Sequence, residues 1–168
     1  MQIVMKFGGS AVESGEKIRH ISNLALNYQS NVGLDVVMVI SAVRGVTDEI
    51  LTASERVKRG DRHAVDEFVD RVKFLHLSII EKCIFQEDAK REARTTILGL
   101  IRVMESVLYG MLPIREVTPK MLDYLLSFGE RLSTFIVSFA IKDLGGRSEF
   151  LMGNEVGIVT DSNFGEAA

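Results

Sequence analysis

"VMKFGGSAV", residues 4–12, decides how the chain is read: an apolar run closes on Lys6 and Phe7, and two glycines follow at once. The run "QIVMKF", residues 2–7, is rich in β-formers and stops at Gly8 and Gly9. Beyond the break Ile18, Ile21, Ala25 and Tyr28 recur at helical spacing, which predicts an amphipathic helix over residues 14–27. The first unit is therefore strand, glycine turn, helix.

That unit is then repeated. "DVVMVI", residues 35–40, is a continuous apolar run of the kind found in a strand covered on both faces. "SAVRGVTDEI" follows it, with Thr47 placed to cap a helix over residues 48–59 and with Asp48 and Glu49 in the first turn, where carboxylates suit the helix dipole. Between residues 61 and 112 the apolar positions fall at helical intervals in two groups, from Val65 to Ile79 and from Ala93 to Leu108, and two long helices are expected. Pro113 ends that region. A helix-rich stretch over residues 118–144 should be interrupted near "SFGE" and stopped by Gly145 and Gly146, and "SEFLM" and "GIVT" should be short strands. Strands alternating with helices imply a layered α/β/α fold with a mainly parallel sheet and a helix-rich middle segment. Ligands in such folds collect beyond the carboxyl ends of the strands.

Composition narrows the function. The 168 residues, 46% of them hydrophobic, suffice for one core, and with two prolines and no low-complexity tract they read as a single globular unit, 1–168. A net charge of −3, from 20 basic and 23 acidic residues, gives no positive field to hold a nucleic-acid backbone or an anionic membrane. Cys83 is the only cysteine, which excludes an internal disulfide and suits a reducing cytoplasm; it reads as a small buried apolar residue. No leader pattern and no long uninterrupted apolar run is present, so a soluble, cytoplasmic protein is expected. His20, His63 and His76 have no metal-ligand spacing with one another or with Cys83 and are expected to serve surface or packing.

Four short segments carry the candidate chemistry. Gly8 and Gly9 let the main chain approach a ligand, amides at the following helix start can face an anion, and Lys6 supplies a mobile charge; an ordinary strand-to-helix turn has the same composition. Ser41 and Thr47 lie just past the second strand, where their hydroxyls suit a small polar substrate, or simply close a turn and cap a helix. In "SFGERLS", residues 127–133, Glu130 and Arg131 sit between apolar flanks, so at least one charge is expected in a partly buried setting that needs a partner; a surface Glu at a helix start is the alternative. "GIVTDSNFGEA", residues 157–167, offers Asp161 and Asn163 in a turn-like string.

Taken in order, "KFGGSAV", "VISAVRGVT", "LLSFGERLS" and "GIVTDSNFGEA" resemble the aspartokinases of the amino acid kinase family, archaeal-type ones most nearly, and the likeness spans nearly the whole chain. The resemblance implies transfer of the ATP γ-phosphoryl group to the side-chain carboxylate of L-aspartate, giving 4-phospho-L-aspartate, the first step towards lysine, threonine and methionine. It implies that Lys6 contacts the ATP phosphates, that Gly8, Gly9 and Ser10 steady the moving phosphoryl group, and that Ser41, Thr47 and Glu130 surround the aspartate, with Glu130 facing its α-ammonium. Mg²⁺ is implied as well, held mainly by ATP phosphates. A carboxylate nucleophile with a reference pKa of about 3.9 is already ionised at neutral pH, so such chemistry needs alignment and charge neutralisation and no general base.

The chain departs from the family pattern at Ala11, where a second hydroxyl is usual, and at Arg44, where a small residue is usual. The resemblance also implies that the second half of the kinase domain, with most of the nucleotide site, and the regulatory ACT domains lie outside this stretch. The expectation is an N-terminal portion carrying the acceptor side of the site and inactive alone. A self-associating or half-complementing interaction module, and a kinase acting on acetylglutamate or carbamate, are the alternatives.

Overall fold

The computed structural model describes residues 1–166. Strand β1, Gln2–Phe7, and strand β2, Asp35–Ile40, pair in parallel with Gln2 opposite Asp35 and Phe7 opposite Ile40. Between them a single 3₁₀ turn, Gly9–Ala11, leads into helix α1, Gly15–Asn27, which ends in one wider turn over Tyr28–Val32. Helices α2, Val46–Lys58, α3, Arg62–Cys83, α4, Glu87–Met111, and α5, Pro119–Asp143, complete the order. The α/β reading, the parallel pairing and the two long middle helices are as the sequence predicts.

Helix α5 is the centre of the molecule and packs against each of the other four helices and β2. Leu125, Phe128, Leu132, Ile136 and Ala140 recur at three- and four-residue spacing along it and are fully buried. Each large side chain so buried contributes about 1.5–3 kcal/mol relative to exposure. Helix α5 is also the one helix among the described residues long and apolar enough to cross a membrane, with mean hydropathy 1.2, yet 61% of its apolar window lies inside the molecule. Core packing accounts for its composition.

Several expectations are corrected. "SFGE" does not interrupt α5, because Gly129 inside the helix is buried against another segment, and tertiary packing overrides its poor helix propensity. "SEFLM" and "GIVT" form no strand: over residues 147–161 the chain runs through coil and turns, and without a neighbouring ladder their β-rich side chains do not set the backbone. Nor is β2 covered on both faces. Ile3, Met5, Phe7, Val36, Met38 and Ile40 turn towards the helices, while Val4, Val37 and Val39 are 65%, 41% and 48% exposed on the outer face.

Candidate functional site

The main chains beyond the carboxyl ends of β1 and β2 meet. Ser41 N–H donates to Phe7 O at 3.0 Å, extending the ladder by one bond into the second loop. A Cβ on Gly9 would stand 2.8 Å from Ala42 O and 3.3 Å from the Arg44 Cα, so this approach is open to glycine alone. Around Gly8, by contrast, no atom of the described residues beyond its chain neighbours comes within 4 Å of that position. Gly8 is thus the glycine a ligand can approach, and Gly9 the one that joins the loops.

The second loop enters α2 through Gly45, whose φ of 86° lies in the left-handed region that glycine adopts without strain. Glu49 N–H donates to Gly45 O at 3.0 Å, so the helix begins there and Thr47 is not its cap. Buried Val46 draws the start inward and leaves Thr47 in the first turn, exposed, with a hydroxyl that takes part in no hydrogen bond among the described residues. Ser14, expected only as the first residue of α1, is its cap, accepting from Lys17 N–H at 3.3 Å.

Helix α5 closes the junction from the third side. A Cβ on Gly129 would lie 2.7 Å from the Ala42 Cβ, so the helix rests directly on the second loop. The Ser133 hydroxyl, one turn on, reaches Ser41 O at 2.8 Å, and Glu130 Oε1 accepts from Ala42 N–H at 3.4 Å. Gly8, Gly9, Ser10, Ser41 and Glu130 are thereby gathered at one end of the sheet. The sequence reading missed Ala42, Gly129 and Ser133 as positioning residues, although the spacing from Gly129 to Ser133 is one helical turn.

The charges around the junction fall into two sets. Lys17 bonds Ser10 O at 2.9 Å and Glu13 at 2.5 Å, and Arg44 lies 3.7 Å from Glu13. The hydrogen bond from Lys17 holds the Glu13 carboxyl below its ordinary pKa. Arg44 thus ties the second loop to the start of α1. Lys6 projects from the outer face of β1, two residues before Gly8, with no hydrogen bond or ion pair among the described residues.

Along the edge of β2 a groove of about 1290 Å³ runs between the strand, α5 and residues 147–158. Glu130, Arg131 and Thr134 line it at the junction end, with Val39, Ile40, Tyr124 and Ser127 nearby. Of the two charges in "SFGERLS", Arg131 is the partly buried one: its guanidinium lies 4.5 Å from the Phe128 ring centroid, and its buried Nε has no hydrogen-bond partner. Glu130 is exposed and enters no ion pair among the described residues. Asp161 accepts from Asn163 N–H at 3.0 Å in an exposed turn, and Gly165 N–H binds Asp123 on α5 at 2.8 Å. The last residue of "GIVTDSNFGEA", Ala167, lies outside the described residues.

The remaining reactive groups are structural. Cys83 is fully buried, and burial pushes its thiol up to about 12. His20 and His63 are exposed; His76 is buried in the core with Nδ1 at 2.7 Å from Val72 O. Among the described residues no three His, Cys, Asp or Glu side chains are grouped to hold a metal ion.

Residues 1–166 match the model of the amino acid kinase family, and the chain belongs to that family. It is 31% identical over 163 residues to Aspartokinase 1, chloroplastic, of Arabidopsis thaliana, covering 96% of this chain and 27% of that one. With the aspartokinase of Corynebacterium glutamicum it shares 26% identity over 165 residues, 98% of this chain and 26% of the other. Crystal structures of E. coli aspartokinase III superpose with TM-scores of 0.81, for the complex with lysine and aspartate in the T-state, and 0.82, for the complex with aspartate and ADP in the R-state. Sequence identity is 22% in each, and the alignment spans 98% and 99% of this chain but 34% of those chains, a likeness of fold. The chain spans about 27% of the length of the first of these relatives.

Proposed function

We propose that this chain carries the acceptor-substrate side of an aspartate kinase, the enzyme that moves the ATP γ-phosphoryl group to the side-chain carboxylate of L-aspartate and yields 4-phospho-L-aspartate. The observation that carries the reading is the meeting of both post-strand loops with Glu130 of α5, whose carboxylate reaches the Ala42 amide at 3.4 Å. Glu130 is unneutralised and suits an α-ammonium. Ser41 presents its hydroxyl from the loop that Glu130 contacts and Thr47 from the first turn of α2 that follows it, and neither Oγ is engaged in a hydrogen bond among the described residues.

The residues present also fit a phosphate group. Among the described residues space is open at Gly8, the Gly9 and Ser10 amides have no main-chain acceptor, and the Lys6 ammonium, two residues before Gly8, is unpaired. Lys6 then offsets charge on ATP phosphates, Gly8 and Ser10 bring amides to the transferring group, and Gly9 holds the first loop against the second. Aspartate attacks as a carboxylate, so no side chain here has to remove a proton. Mg²⁺, bound through the phosphate oxygens, would supply further neutralisation of the transferring group. Because the relatives are several times longer than this chain, phosphoryl transfer by these residues alone is not expected.

Thermal unfolding with L-aspartate tests the reading. A ligand specific to the folded state stabilises it by about 2.7 kcal/mol at 100 times its Kd. The midpoint should rise with L-aspartate, stay level with D-aspartate, and lose its response in Glu130→Ala. No rise in a folded sample would sink the assignment of this acceptor site to the chain.

The exposed outer sheet face, with Val4, Val37 and Val39, favours a second reading in which this face associates with another copy or with the rest of a kinase. Its sign would be a solution mass above that of the 18.7 kDa monomer.

A further inference from the structure

Resting on the phosphate side of the proposed reading, we infer that Lys17 is a positioning residue: its ammonium holds the first loop in the form that leaves the Gly9 and Ser10 amides free to meet a phosphate. Lys17 stands in the first turn of α1, where its own N–H donates to the Ser14 hydroxyl at 3.3 Å. A cation there opposes the helix dipole, so helix stability does not account for it. A helical side chain leans back over the residues before it, and Lys17 Nζ lies 2.9 Å from Ser10 O. The same ammonium bonds Glu13 Oε1 at 2.5 Å, while the other oxygen of that carboxylate lies 3.7 Å from Arg44 on the second loop.

The bond to Ser10 O completes a set. Phe7 O accepts from Ser41 N–H at 3.0 Å, Gly8 O from Ala11 N–H at 2.8 Å and Gly9 O from Val12 N–H at 3.3 Å. Every carbonyl from Phe7 to Ser10 therefore has a donor, and only the one on Ser10 depends on a side chain. The Gly9 and Ser10 amides, in contrast, have no main-chain acceptor among the described residues. A loop whose acceptors are tied back and whose donors are free offers one sign of partial charge, the sign that suits an anion. Two consecutive glycines give this stretch wide backbone freedom, so its form has to be held. The Ser10–Ala11 peptide is anchored at both ends, through its nitrogen by Gly8 O and through its oxygen by Lys17. Loss of the second anchor lowers the population of the binding form, and the apparent affinity for a phosphate falls with it. Ser41, Thr47 and Glu130 lie on other elements, and the anchor does not touch them.

The experiment is NMR titration of the folded chain with inorganic pyrophosphate, followed at the Gly9 and Ser10 amides, and separately with L-aspartate, followed at the Ala42 amide. Pyrophosphate should shift both loop amides in wild type. Lys17→Met should weaken pyrophosphate by about three- to tenfold, the range for one charge-assisted bond at a half-exposed side chain, and leave L-aspartate unchanged. Lys17→Arg, which keeps a cationic donor, should recover most of the loss. Lys82→Met removes the same charge from α3, where Lys82 lies 4.0 Å from Glu16 of α1, and should weaken pyrophosphate by less than about twofold. Unchanged pyrophosphate affinity in Lys17→Met, an equal loss in Lys82→Met, equal weakening of both ligands, or a Lys17→Arg protein no better than Lys17→Met overturns the role of Lys17 and leaves the acceptor reading standing. Absence of any shift at Gly9 and Ser10 in wild type overturns the phosphate side of that reading, and this inference with it. Should Lys17→Met not fold by circular dichroism, Lys17→Gln takes its place under the same criteria.

Discussion

Adding one methyl group at Gly129 sets two effects of similar size against each other. In an exposed helix interior, Gly→Ala stabilises by about 1 kcal/mol, because alanine restricts the unfolded chain and suits the helix. Gly99 in α4 is such a position, exposed and with no atom within 4 Å of the added Cβ. At Gly129 the same methyl would stand 2.7 Å from the Ala42 Cβ, with the Val46 Cγ1 at 3.8 Å behind it. Ala42 cannot swing away, since an alanine Cβ moves only with its backbone, and that backbone is held by the bond from Ser133 to Ser41 O. Overpacking of this kind costs about 1–3 kcal/mol. Gly99→Ala should therefore gain about 1 kcal/mol, and Gly129→Ala should fall below it by about 1–3 kcal/mol. Urea unfolding of each variant measures this, and Ala42→Gly closes a double-mutant cycle with Gly129→Ala. A coupling energy of about 1 kcal/mol or more, with Ala42→Gly less harmful in the Gly129→Ala background, is expected. If Gly129→Ala stabilises as much as Gly99→Ala and the cycle shows no coupling, the direct seating of α5 on the second loop is wrong.

Two other positions have equally specific consequences. Asp143 accepts from Phe85 N–H at 2.9 Å, Gln86 N–H at 2.7 Å and Arg19 at 2.6 Å, with its side chain 1% exposed and that of Arg19 27% exposed. Asp143→Ala should cost about 3–5 kcal/mol in denaturant unfolding, because it strands a half-buried cation and two amides; a loss under about 1 kcal/mol would contradict the bonding described. Burial raises the Asp143 pKa, but the three hydrogen bonds outweigh it and leave the folded value below 3.8. Its stability contribution is therefore complete above the unfolded value and disappears as pH falls through the lower folded one, so the wild-type advantage over Asp143→Ala should shrink on strong acidification. Burial also holds His76 below its ordinary value of 6.5, only partly opposed by its bond to Val72 O. The unfolded state then takes up the proton first, and stability should fall as pH drops from about 7.5 to about 5.5, a span around the usual imidazole pKa. A His76→Leu protein with the same pH slope as wild type would show that the core histidine is not its source.

The sequence was most legible where local rules decide structure. β1 and β2 fall on the expected residues, 2–7 and 35–40, since each is a β-rich run closed by small or polar residues. Helix α1 starts within one residue of the expected position 14, and the stop after α5 is a Schellman turn, with Gly145 N–H on Lys142 O and Gly146 N–H on Ile141 O. Errors appear where a distant segment intervenes. Thr47 resembles a cap by composition, but the buried Val46 and the left-handed Gly45 start the helix earlier. "SEFLM" has strand propensity, yet Phe150 stacks on Phe135 of α5 at 3.9 Å between centroids and the backbone pairs with no strand. Propensity has no information about which neighbours will be present.

The candidate site shows the same limit from another side. Read as a string, the glycines of "KFGGSAV" suggest close approach of a ligand, and the one in "LLSFGERLS" a break in the helix. In the fold two of the three instead converge on one residue: Gly9 stands against Ala42 O and Gly129 against Ala42 Cβ. Three of the four motifs thus each contribute one small residue to a single contact, which fixes the spacing of both loops and of Glu130. Only Gly8 remains free of neighbours. On the proposed acceptor reading, a substitution at Gly9 or Gly129 should disturb binding indirectly, through displacement of Glu130 and Ser41, whereas one at Gly8 should act on the ligand without moving the frame. Motif glycines alone do not separate those two roles; the atoms opposite each missing Cβ do.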